Sequence, residues 1–147
     1  MFKRILVATD GSELSAKAVD QAIALARTVG AYLFALKVVH QQREDRWDGG
    51  LLRERPTHAL IEAEQIEHAQ VVVRAVQASA ERAGVTATAL TEKGSSVADA
   101  VIEVAQKNGC DLIVMASHGR RGLARVLLGS ETQHVLTHSQ IPVLVLR

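Results

Sequence analysis

Cysteine occurs once in the 147 residues, at Cys110, and a lone thiol excludes an intramolecular disulfide framework. None is needed, because a single domain of this length buries roughly two-thirds of its unfolded surface. The same scarcity fits a reducing compartment, so the cytoplasm is the expected location. Aromatic residues make up only 3% of the chain, which leaves a flavin few ring faces to stack on. Excess charge is missing too. With 17 Lys and Arg against 16 Asp and Glu, the formal charge of +1 gives no global field to hold nucleic acid or an anionic membrane. Any anion site must be local. The N-terminal stretch MFKRILVATDGS reaches a turn after one short apolar run, so it reads as neither a signal peptide nor a membrane span. Neither GxxxxGK[ST] nor GxGxxG occurs, which removes the Walker-type phosphate loop and the dinucleotide fingerprint.

Present instead is a regular alternation. Three helix-like stretches end in glycine and pass directly into β-rich segments: Gly30 before AYLFALKVV, Gly84 before VTATAL and Gly109 before CDLIVMA. The apolar runs 5–8, 33–39, 112–116 and 142–146 are continuous, as expected of strands covered on both faces of a parallel sheet. Between runs the apolar spacing becomes helical, with Leu14, Ala18, Ala22, Leu25 and Val29 in one stripe and Val97, Val101, Val104 and Ala105 in another. Helix starts are expected at Ser12, Thr57, Ser95 or Ser96, and Ser130, the last with Gln133 in a capping box. This βαβαβαβαβ order predicts one α/β domain over 1–147, a doubly wound parallel sheet with helices on both faces. The connection 40–56 is long and charged and carries Trp47, the sole tryptophan; it reads as a surface excursion or, second, a lid.

Ligands of doubly wound sheets occupy the crevice beyond the carboxyl ends of the strands, where strand order reverses. That rule selects Thr9-Asp10-Gly11-Ser12, Val39-His40-Gln41, Thr91-Glu92-Lys93 and the run Ser117 to Gly122. The last is the richest. It continues to Gly129-Ser130 at the start of the final helix, where unpaired N–H groups and a hydroxyl suit phosphate oxygens. Arg120, Arg121 and Arg125 add nearby cations. Asp10 is a candidate acceptor for a ribose hydroxyl or a Mg²⁺ ligand, and equally a cap of the first helix.

The segments ILVATDGSELSAKAVDQAIALA, LIVMASHGRRGLARVLLGSETQHVL and IPVLVLR resemble the universal stress protein family over essentially the whole chain. Its nucleotide motif is Gly, two residues, Gly, nine residues, Gly, then Ser or Thr. Here Ala116 replaces the first glycine, and Gly119, Gly129 and Ser130 keep the spacing. The resemblance implies a five-stranded sheet ordered 3-2-1-4-5 and binding of ATP, beside which Mg²⁺ is the ion open to Asp10. It assigns Asp10 to the ribose side, Val38 to adenine, and Gly119, Gly129 and Ser130 to phosphate, with Ser117 and Gly122 as neighbours. It also implies a homodimer formed through the final strand, 142–146, whose edge needs cover.

Several rivals rank lower. TDGSELS is a poor flavin phosphate loop, and of the acidic pair, Asp and Lys of a phosphoacceptor domain only Asp10 is present. His134 and His138 stand four apart but lack a third zinc ligand of evident spacing. His118 is open to two roles, phosphate ligand or local hydrogen bonding. Hydrolysis needs a positioned base as well as a bound nucleotide, and no spacing assigns one. The expectation is therefore an ATP-binding stress or signalling module. A slow ATPase or autophosphorylating enzyme, and a nucleotide-free dimeric protein acting through partners, are the alternatives.

Overall fold

A computed structural model describes residues 1–41, 56–118 and 128–147. The elements run β1 (Arg4–Ala8), α1 (Glu13–Val29), β2 (Tyr32–His40), α2 (Pro56–Arg82), β3 (Ala87–Gly94), α3 (Val97–Lys107), β4 (Leu112–Ala116), α4 (Ser130–His138) and β5 (Val143–Leu146). The five strands form one sheet in the order β3-β2-β1-β4-β5, and every pair is parallel. The strand order is the one the resemblance implied.

Alternation along the strands divides the core into two layers. Ile5, Val7, Leu33, Ala35, Leu112 and Val114 face α1 and α2, whereas Leu6, Phe34, Leu36, Ile113 and Met115 pack toward α3 and α4. β4 is buried along its whole length, which is why LIVMA carries no polar residue. Glycines 30, 84 and 109 all adopt positive φ, as their expected place just past a helix requires.

Some details depart from the sequence reading. The buried face of α1 is centred on Ser15, Ala18, Val19, Ala22, Ile23 and Ala26, while Leu14, Leu25 and Val29 lie at its margins. Helix α2 begins at Pro56, whose fixed φ suits a first helical position, rather than at Thr57. β2 and β3 continue pairing through His40 and Gly94, so Val39-His40 and Thr91-Glu92-Lys93 belong to strands and not to the loops after them. The capping box expected at Ser130 is also replaced: Gly129 is the N-cap of α4, with no side-chain cap. Most of the 40–56 connection, Trp47 included, lies outside the described residues.

Candidate functional site

The strand order reverses between β1 and β4, which pair side by side through Ile5↔Leu112, Leu6↔Ile113 and Val7↔Val114. Asp10 and Ser117 each stand three residues beyond the final pair, so the two turns leaving these strands begin next to one another. The switch-point rule places a ligand crevice between two such turns, which would be its walls.

On the β1 wall, short polar side chains fix a tight turn. Thr9 N–H donates to the Leu36 carbonyl at 2.9 Å, which holds the turn against β2. The Thr9 hydroxyl accepts from Gly11 N–H at 3.2 Å and lies 2.9 Å from the Ser15 hydroxyl. Asp10 Oδ1 accepts from Ser12 N–H at 2.9 Å, an Asx turn that sets the orientation of the carboxylate. Gly11 supplies the φ of +81° the turn needs. Ser12 then caps α1, accepting from Ser15 N–H at 3.2 Å. The capping reading of Asp10 is thus realised through Oδ1, with Ser12 as the cap itself.

The β4 wall is built on close backbone approach. Gly129 N–H donates to the Ser117 carbonyl at 2.7 Å, and a Cβ on Gly129 would stand 3.2 Å from that same oxygen and 3.6 Å from His118 Cα. Its φ of −57° is open to any residue, so glycine is favoured here by space and not by backbone conformation. Buried Thr132 donates from its hydroxyl to the Ala116 carbonyl at 3.0 Å, which pins the first turn of α4 to the end of β4. The helix therefore points its N-terminal N–H groups, beginning at Ser130, toward the crevice.

Ala116 itself is the last residue of β4, paired with Leu146 and buried. Its backbone is extended, so the alanine that replaces the family's first glycine meets no demand for positive φ. Ser117 is buried, its N–H donates to the Leu146 carbonyl at 2.7 Å, and its hydroxyl lies 3.1 Å from His118 Nδ1. Val38 lies on β2 among the partly buried residues of the α3 and α4 layer. Gly119, Gly122, Arg120, Arg121 and Arg125 lie outside the described residues.

Two relevant residues escaped the sequence reading. Lys37 Nζ donates to the Asp10 carbonyl at 3.3 Å; its signal was one cation inside the apolar run LFALKVV. Glu131, in the first turn of α4, turns its carboxylate onto Ala98 N–H at 2.8 Å, so its charge serves the start of α3.

The α4 histidines make contacts of their own. His134 Nε2 lies 2.8 Å from Asp99 Oδ1 and its ring stacks on His138 at 4.1 Å. Among the described residues no group of three or more His, Cys, Asp or Glu is placed to hold a metal. Cys110 is buried at the approach to β4, and burial pushes its thiol up to about 11, which keeps it protonated and unreactive. No described helix is long and apolar enough to cross a membrane.

Comparison with known proteins gives the site a context. The universal stress protein family model matches residues 1–147. Universal stress protein YxiE of Bacillus subtilis is 34% identical over 153 residues, covering all of both chains. Among solved structures, universal stress protein UspA from Lactobacillus plantarum superposes with a TM-score of 0.84 at 24% identity, covering 99% of this chain and 97% of that one. A universal stress protein solved in complex with cAMP matches with a TM-score of 0.73 at 26% identity, covering 99% of this chain and 97% of its own.

Proposed function

Because this chain belongs to the universal stress protein family, we propose that its switch-point crevice binds an adenine nucleotide, with ATP as the physiological ligand. The observation that carries this reading is the approach of Gly129 to the end of β4, where a Cβ would meet the Ser117 carbonyl at 3.2 Å. Such packing brings bare backbone and a helix start to the point where phosphate oxygens need N–H donors. Support also comes from the cAMP complex of a similar chain, whose ligand carries the same adenine, ribose and phosphate groups.

In this reading Asp10 accepts from the ribose hydroxyls and Val38 packs on the adenine. Ser130, Gly129 and Ser117 meet the phosphates, joined by Gly119 and Gly122. Ala116 lines the floor as a strand residue. Mg²⁺ enters with the phosphates and not through a protein cage, since such ions are commonly held by one or two carboxylates plus phosphate oxygens. Asp10 is the carboxylate proposed for that role. The protein acts as a nucleotide-dependent binding or signalling module in the cytoplasm. It pairs into a homodimer through β5, which is a sheet edge with Leu144 38% exposed.

The test is a thermal melt with and without ATP and Mg²⁺. At a free ATP concentration about 100 times Kd, linkage adds about 2.7 kcal/mol to native stability. For a domain of this size that raises Tm by about 5–10 °C. No shift at millimolar ATP, from protein shown by mass spectrometry to carry no copurified nucleotide, overturns the reading. Size-exclusion chromatography with light scattering tests the dimer, which Leu144→Lys is expected to dissociate.

A further inference from the structure

Lys37 is the only charged residue in the run Leu33 to Val39, which is otherwise apolar and mostly buried. A half-buried ammonium on a central strand gives up hydration that an aliphatic side chain would not, so its position calls for a compensating contact. The structure supplies one: Nζ donates to the backbone carbonyl of Asp10 at 3.3 Å. Register explains the geometry. Ala8↔Leu36 is the last β1–β2 pair, so Lys37 stands one step further along β2, beside the turn that leaves β1. By alternation with Leu33 and Ala35 it lies on the α1 and α2 face, the face where Gly11 approaches Val72.

Beyond the Thr9 N–H bond to the Leu36 carbonyl, three contacts bear on the Asp10 turn. The Asp10 carboxylate takes Ser12 N–H, the Thr9 hydroxyl takes Gly11 N–H, and the Asp10 carbonyl takes the Lys37 ammonium. The first two ties are local to the turn. β2 holds the turn at two points, through the Leu36 carbonyl on Thr9 N–H and through Lys37 on the Asp10 carbonyl, and the Lys37 contact is the one that bears on Asp10 itself. We propose that Lys37 is a positioning residue of the nucleotide crevice, holding the Asp10 carbonyl from β2 so that the Asp10 carboxylate is aimed at the ribose. The inference rests on the nucleotide reading of the site, and it names a residue that acts through Asp10 and not on the phosphates.

A double-mutant cycle in the full-length protein tests it, with Kd measured by calorimetry for ATP and AMP in wild type, Lys37→Met, Asp10→Ala and the double variant. Lys37→Met is expected to weaken both ligands by the same factor, about tenfold, the usual scale for losing a charge-assisted hydrogen bond. In the Asp10→Ala background the same change is expected to cost less than about twofold, because no carboxylate remains to be aimed. Lys37→Arg retains a donor and is expected to recover most of the affinity, a rescue that simple loss of strand packing would not give. It also carries the test if Lys37→Met melts too early to titrate.

Four results would overturn the proposal. These are unchanged affinity in Lys37→Met, full additivity with Asp10→Ala, a loss much larger for ATP than for AMP, and no rescue by Arg. The third would make Lys37 a phosphate contact. A wild type that binds neither ligand would instead overturn the nucleotide reading itself, and this inference with it.

Discussion

The two ends of the sheet are built from the same kinds of residue and put to opposite uses. At the amino end, the Asp111 carboxylate takes Lys3 N–H at 2.8 Å and Arg4 N–H at 3.1 Å. The Arg4 side chain donates to the Asn108 carbonyl at 2.7 Å and lies 5.0 Å from the Phe34 ring centroid. Charge there closes the chain on itself. At the carboxyl ends of β1 and β4, the described polar side chains hold the turns: Thr9 and Asp10 one wall, Thr132 the other, while Glu131 turns away to α3. Two helix starts are thereby left at the switch point, one capped by Ser12 and the other led by Gly129 with no side-chain cap. The amino end spends its polar groups on stability and the carboxyl end on the shape of a cleft.

The largest expected separation of the two ends comes from Gly129→Val. Its Cβ would press on the Ser117 carbonyl, which must yield by a few tenths of an ångström, and ATP affinity is expected to fall about a hundredfold by calorimetry, about 2.7 kcal/mol. Retained affinity would remove that turn from the site. Asp111→Ala is the converse: urea unfolding should show a loss of about 0.5–1.5 kcal/mol, since the freed Lys3 and Arg4 N–H groups are exposed and turn to water, with ATP affinity unchanged. A parallel loss of affinity would mean that the two ends are coupled.

Asp10→Ala follows, with a loss of about tenfold in ATP affinity. Ala116→Gly should change affinity by less than about threefold, since the backbone is already extended there, while costing about 0.5–1 kcal/mol of stability. A large gain in affinity would show that the methyl group obstructs the phosphates.

Cys110 gives the smallest effect, one confined to alkaline pH. Its folded value near 11 exceeds the ordinary 9.0, so above pH 9 the unfolded chain releases a proton that the native state keeps. Stability contributed by the neutral thiol is complete below pH 9 and declines as pH rises toward 11. Cys110→Ala should flatten that part of the urea-midpoint profile, and an unchanged slope would contradict the assignment to Cys110.

How much of this was legible in the sequence follows from how strongly each feature is patterned. β4 could be bounded to the residue because both faces are covered and LIVMA is apolar throughout. The end of β3 could not: Thr91-Glu92-Lys93 continues the ladder opposite Lys37, Val38 and Val39 on an edge strand whose side chains are part-exposed, so hydropathy falls before pairing does. Ser130 looked like a cap because serine usually is one. The cap falls on Gly129, where a Cβ would press on the Ser117 carbonyl, a tertiary constraint invisible to local propensity. Asp10 was found through its place after the first strand. Lys37 was missed because its role depends on register between β1 and β2, which no linear pattern records.

The central claim is that the carboxyl end alone receives the nucleotide, and an amide-resolved NMR titration with ATP and Mg²⁺ tests it most directly. Saturable shifts are predicted at Asp10, Gly11, Ser12, Ser117, Gly129 and Ser130, with Lys3, Arg4, Asn108 and Asp111 unmoved. Shifts centred on the amino end, or none at millimolar ATP, would contradict the account.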